Sequence, residues 1–164
     1  MNVRIGNGFD VHRLVAGRPL ILGGVEIDWG LGLEGHSDAD VLLHALCDAL
    51  LGAAGMGDIG KHFPPSDEDY RDMDSREFIR TVAKMLLDAN FSVGNVDCTI
   101  IAERPRLAPY TPEMVTTIAA DLGIAENCIN VKATTSEGLG YCGREEGIAA
   151  SVSVLIETKG GLNV

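Results

Sequence analysis

The chain has 164 residues, of which 46% are hydrophobic and 23% charged, and a formal net charge of -11. That length suits a single domain able to bury a core without disulfides or a structural metal, so any bound metal is free to be catalytic. The acidic balance argues against a general nucleic-acid surface, which needs clustered Lys and Arg.

No apolar run is long enough to span a bilayer, and no basic segment followed by an apolar stretch and a cleavage site opens the chain, so a cytoplasmic protein is expected. Cys47, Cys98, Cys128 and Cys142 form no Cys-x-x-Cys pair, which excludes a zinc ribbon or thioredoxin-type motif and leaves most of them as small core residues.

In chain order, Val3 to His12 and Leu20 to Ile27 read as strands separated by a turn at Gly17 to Pro19. Ser37 can cap a helix, with Asp40 three positions on, before the apolar run Val41 to Ala54; the glycines of GMGDIG stop it. A second helix begins near Asp74, with Glu77 at the reciprocal capping position and apolar residues at helical spacing from Phe78 to Leu87.

Val96 to Ala102 alternates as a strand that Pro105 ends. A third helix is capped by Thr111, with Pro112 in its first position and Gly123 at its close. Ile129 to Thr134 and Ile148 to Glu157 supply two more strands joined by a glycine-rich loop. The order does not alternate as a doubly wound chain does; an α+β fold is expected, a mixed sheet with helices on one face in two layers. Residues 1–158 form one domain in this reading, and Lys159 to Val164 a loose tail.

Asp10 and His12, two apart on a predicted strand, leave the same face. On the first helix Asp40, His44 and Asp48 recur every four residues as one narrow polar stripe in an otherwise apolar element. Singly, these are ordinary strand-end or half-buried residues. Together, Asp10, His12 and His44 make a three-ligand metal site with an open position, the pattern of catalytic zinc. The same set suits non-haem iron, which ligand type alone does not separate. Asp48 or Asp40 could orient His44, while Cys47 lies off the stripe and reads as packing.

Several segments suit an anion. His36 and Ser37 precede a helix N-terminus. Asp58 lies between glycines in GDIG, and Arg104 and Arg106 make a cationic spot in AERPRLAP. Lys132, Thr134, Thr135, Ser136 and Glu137 lead into a glycine-rich loop whose hydroxyls and backbone suit phosphate, although any glycine-rich hairpin reads similarly.

Set in order, GFDVH, GHSDADVLLHALCDALLGA, GDIGKHFPPSD, DSRE, NVDCTIIAERPRL and VKATTSEGLGYCGR closely resemble the 2-C-methyl-D-erythritol 2,4-cyclodiphosphate synthases of the non-mevalonate isoprenoid pathway, from the first strand to the last. The resemblance implies a homotrimer with active sites between subunits, acting on 4-diphosphocytidyl-2-C-methyl-D-erythritol 2-phosphate and releasing CMP. By position, Asp10, His12 and His44 match zinc ligands, one ion per subunit, and a second cation, Mg2+ or Mn2+, accompanies the diphosphate. His36 and Thr135 match transition-state stabilisers, and Asp10, His12, His36 and Ser37 also match substrate contacts.

Asp58, Ile59 and Gly60, with Phe63, Pro64, Pro65, Ser66 and Asp67, match the erythritol phosphate region. Ala102, Glu103, Arg104, Pro105, Arg106, Leu107 and Ala108, with Thr134, Thr135, Ser136 and Glu137, match cytidine and diphosphate contacts from the adjacent subunit. Departures are Ala39 for a common glycine, Pro65 and Ser66 in their loop, Ser136 for threonine and Tyr141 for phenylalanine. Tyr141, Phe9 and Arg144 match the border of an axial cavity that can hold an isoprenoid diphosphate, a secondary expectation that the added Tyr141 hydroxyl weakens. Rival readings are a different metalloenzyme using the same ligands, and a non-catalytic sensor, against which His36, Asp58 and Thr135 all stand intact.

Overall fold

The computed structural model describes residues 2–158, so the expected tail at 159–164 lies outside the described residues. Five strands, β1 (Val3–Val15), β4 (Gly32–Leu33), β5 (Phe91–Ile101), β6 (Ile129–Thr134) and β7 (Gly147–Thr158), form one sheet in the order β4-β1-β7-β5-β6. Only the β5–β6 pair is parallel, so the sheet is mixed, as expected. Helices α1 (Val41–Ala54), α3 (Ser75–Asp88) and α4 (Thr111–Leu122) pack as one layer, with α1 on β1 and β7, α3 on α1, and α4 on β6. Short helices α2 (Ile59–His62) and α5 (Gly140–Gly143) lie in connecting loops.

The core lies between these layers. Leu42, Leu43, Leu46, Leu50 and Leu51 of α1 are completely buried, and each Leu contributes roughly 1.5–3 kcal/mol of transfer free energy. α1 is therefore the keel of the domain. The opposite sheet face is bare: Ile5 is 80% exposed and Phe9 57%, with Val3 and Val11 also exposed beside them.

Four details differ from expectation. Leu20 to Ile27 is a hairpin, β2 (Leu20–Leu22) and β3 (Val25–Ile27), turned at Gly23 and Gly24. Both glycines have positive φ, which a two-residue hairpin loop of this type demands. Asp40, not Ser37, caps α1: its carboxylate accepts the Leu42 and Leu43 N–H groups and those of Gly23 and Gly24, locking the hairpin turn to the helix start.

Tyr110 rather than Thr111 occupies the cap position of α4, and the Thr111 hydroxyl donates to the Ala108 carbonyl. Asp74 caps α3 as expected, but the Glu77 carboxylate pairs with Arg80 instead of reaching back. Cys47, Cys98 and Cys142 are buried and all four cysteines are free. No helix of the structure is long and apolar enough to cross a membrane among the described residues.

Candidate active site

Asp10 and His12 share the side of β1 that carries Gly6 and Gly8, the side facing α1. The two glycines set the approach: a Cβ at Gly8 would lie 1.8 Å from the Ala45 carbonyl oxygen, and one at Gly6 2.0 Å from that of Ala49. The helix thereby lies almost on the strand backbone, and His44 comes over Asp10 and His12.

Asp10 Oδ2 is 2.9 Å from His12 Nε2 and 3.2 Å from His44 Nδ1, and the two nitrogens are 3.1 Å apart. A tetrahedral ion with bonds of about 2.0–2.1 Å spaces its ligand atoms by about 3.3 Å, so the triangle fits one divalent ion after a small relaxation. These three residues are also the one cluster of metal-ligating side chains found among the described residues.

The second nitrogen of each imidazole has a partner, which sets the ring orientation. His12 Nδ1 lies 2.6 Å from the Glu34 carbonyl oxygen, brought there by the pairing of β4 with Leu14 and Val15, so Nδ1–H donates and Nε2 is left for an ion. His44 Nε2 lies 3.0 Å from Ser75 Oγ and 3.1 Å from Ser37 Oγ. Burial opposes ionisation of Asp10, but the neighbouring His12 and His44 imidazoles outweigh it and hold this carboxyl well below the usual range. Burial likewise lowers the His12 pKa, and the neighbouring Asp10 carboxylate outweighs it and raises it.

The stripe on α1 divides its work differently from expectation. Neither the Asp40 nor the Asp48 carboxylate is hydrogen-bonded to the His44 ring: Asp40 caps the helix, and Asp48 accepts the Ile59 N–H at 2.7 Å, tying the GDIG loop to α1. With its donors taken by Asp40, the α1 N-terminus is no free phosphate site. Cys47 is fully buried, and burial pushes its thiol well above the ordinary value, which removes it as a competing ligand.

The triangle opens into a cavity of about 270 Å³. Asp10, His12, His36, Ser37, His44 and Asp48 line its polar side, and Ile59, Gly60, Phe63, Pro65, Tyr70 and Phe78 the other. Phe63 packs against Phe78 at 4.7 Å and edge-on against Tyr70 at 5.6 Å. Tyr70 and Phe78 were not expected at the site; Phe78 reads as an ordinary core position of a helix, and only the fold turns it to the cavity. His36 Nε2 donates to the Asp67 carbonyl at 3.0 Å, joining the two loops at the mouth. Asp58 caps α2 through the Lys61 N–H, and Asp67 caps a 3-10 turn at Glu68–Tyr70. Asp58, Pro64, Ser66 and Asp67 do not line the cavity.

The remaining candidates lie elsewhere in the chain. Ala102 to Ala108 line a second cavity, of about 410 Å³, with Ala133, Thr134 and Thr135. Glu103 is turned inward there, accepting from Ser136 N at 2.9 Å, Ser136 Oγ at 3.2 Å and Gly138 N at 3.2 Å, so it staples the two segments together. Arg104 faces Glu145 at 3.5 Å, and Arg106 is exposed. Glu137 lines none of these cavities; its N–H donates to Thr135 Oγ1. A third cavity gathers Phe9, Ser136 and Tyr141, but Arg144 is not on it and pairs with Glu146 instead.

An Asp-His-His triangle with an open side, backed by fixed imidazoles and facing a part-aromatic cavity, defines a metal-dependent enzyme rather than a structural metal module. Residues 3–157 match the YgbB family, and the chain belongs to that family. A 2-C-methyl-D-erythritol 2,4-cyclodiphosphate synthase of Methylobacillus flagellatus is 59% identical over 155 residues, 94% of this chain and 97% of the relative.

Among solved structures, the bifunctional IspDF of Campylobacter jejuni superposes with a TM-score of 0.93 at 43% identity. That alignment covers 96% of this chain and 42% of the larger bifunctional one. The IspF of Plasmodium falciparum, solved as a CDP complex, gives 0.86 at 33% identity, covering 97% of this chain and 98% of its own.

Proposed function

We infer that the chain converts 4-diphosphocytidyl-2-C-methyl-D-erythritol 2-phosphate to 2-C-methyl-D-erythritol 2,4-cyclodiphosphate with release of CMP. The observation that carries this reading is the Asp10, His12 and His44 triangle opening into a part-aromatic cavity, in a chain that spans 97% of a synthase of that name. In the reaction an oxygen of the 2-phosphate attacks the β phosphorus, the bond from that phosphorus to the bridging oxygen breaks, and CMP leaves with the bridging oxygen. Asp10, His12 and His44 would hold zinc, and that ion, with Mg2+ or Mn2+ brought by the substrate, would supply positive charge for the phosphoryl oxygens.

The protein's own groups position the two ends of one molecule, and no covalent nucleophile is required. Ser37 lines the cavity beside the triangle and presents its hydroxyl to a phosphate oxygen. His36, at the mouth, exchanges the Asp67 carbonyl for the substrate and stabilises charge that develops in the transition state. The loop from Asp58 to Gly60, tied to α1 by Asp48, receives the erythritol end. Phe63, Tyr70 and Phe78 exclude water from one wall.

Thr135 and the segment from Ala102 to Ala108 take the cytidine diphosphate end and come from a neighbouring subunit of a homotrimer. Two observations support that assembly: these residues line a cavity separate from the triangle in one chain, and the outer face of β1 is apolar and bare. The test is incubation of the purified chain with this substrate and magnesium, followed by chromatography. CMP and cyclic product appear, vanish with a strong chelator and return when zinc and magnesium are restored. Silence after metal is restored would sink the reading.

A further inference from the structure

We propose that Asp38 and Ser75 are a positioning pair for the metal centre, holding His44 with one nitrogen aimed at the ion. Ser75 opens α3 and is fully buried beneath His44. Asp38 receives it twice: Ser75 N donates to Asp38 Oδ2 at 3.0 Å, and Ser75 Oγ donates to Asp38 Oδ1 at 2.5 Å. Backbone bonds from Asp38 N to the Met73 carbonyl and from Asp72 N to the His36 carbonyl fasten the two loops that carry the pair.

The protons can then be placed. Asp38 accepts both bonds, so the Ser75 hydroxyl proton points at its carboxylate. Ser75 Oγ therefore faces His44 Nε2, 3.0 Å away, solely as an acceptor. His44 must carry its proton on Nε2, which leaves Nδ1 with a free lone pair, and Nδ1 is the atom in the triangle with Asp10 and His12. A carboxylate that reaches a ligand histidine directly or through one hydroxyl fixes its tautomer and strengthens it as a donor. Ser37 Oγ stands at 3.1 Å from the same Nε2, but it is anchored only by the Ala39 N–H and belongs to the cavity wall. Ser75 is the held acceptor, and Ser37 stays available to ligand.

The proposal rests on the metal reading of the triangle, and its test separates the two. Zinc affinity of the whole chain is measured by competition with a chromophoric chelator, and the cobalt-loaded protein is read by its visible absorption. Ser75→Ala and Asp38→Asn each weaken zinc about 10–100-fold, and the double variant is no weaker than the poorer single one, because both act through one chain of bonds. Cobalt bands shift in Ser75→Ala, whereas Ser37→Ala binds zinc as the parent does.

Parent-like affinity in Ser75→Ala, additive losses in the double variant, or a loss carried by Ser37→Ala instead overturns the pair. A parent chain that takes up no zinc overturns the metal reading with it. Should Asp38→Asn fail to fold, Ser75→Ala decides alone, since it deletes one oxygen and keeps the Ser75 N–H bond to Asp38.

Discussion

Asp40 shows how a residue can be noticed for the wrong reason. Its four-residue spacing from His44 suggested a hand in the metal site, and it is instead a completely buried carboxylate accepting four backbone N–H groups. Burial and the nearby Asp38 charge outweigh those bonds and push its pKa up to about 6, from an ordinary 3.8. An acid raised on folding binds its proton more tightly in the native state. Its contribution to stability is therefore largest at low pH and falls as pH rises from about 3.8 to about 6.

Asp40→Asn should lower stability by about 1–3 kcal/mol at neutral pH, because an amide turns a donor toward donors. Urea melts should show the gap between parent and variant widening from about pH 7 to about pH 4.5; a gap independent of pH would contradict the assignment. The ligands themselves were legible in the sequence, since an i, i+2 pair on a strand and one lone polar stripe on an apolar helix need little context. The partners Ser75 and Glu34 were not, because their contacts to His44 and His12 bridge 31 and 22 residues.

The strand β1 and helix α1 meet through absences. Gly6 and Gly8 supply no side chain, and the helix backbone fills the space they leave. Gly52, in the same helix, has nothing near it. One substitution should thus have opposite signs at the two places. Gly8→Ala forces the elements apart, lowering stability by about 1–3 kcal/mol or more and weakening zinc binding, while Gly52→Ala gains about 0.5–1 kcal/mol. Thermal melts with zinc titration check both, and an unperturbed zinc affinity in folded Gly8→Ala would show that the close approach does not build the site. Helices were legible from apolar spacing and their glycine stops; the β2–β3 hairpin hid because a Gly-Gly pair inside an apolar run was read as part of one strand.

The exposed face of the sheet bears on assembly. Ile5 is 80% exposed, so replacing it costs the single chain little, yet in the proposed homotrimer the same side chain is covered. Ile5→Lys should sediment as a monomer, still take up zinc, and release no CMP. A monomer with full activity would mean that one chain holds the entire site, and an unchanged oligomer would move the interface elsewhere. The α+β layering and the mixed sheet followed from element order alone. Which strands are neighbours did not, because pairing is decided by contacts between distant segments.

The central strand of the sheet is also the last among the described residues: β7 lies between β1 and β5, and Asp10 and His12 are registered against Ala150 and Ile148. While the chain is being synthesised, β1 leaves the ribosome long before its main partner exists, and its paired neighbour until then is the two-residue β4. Two of the three metal ligands therefore ride on a strand without a fixed place until Gly147–Thr158 is made. From this topology, metal capture should come late in the life of each molecule, and a nascent chain stalled before that point should offer free edges to aggregation instead of a site.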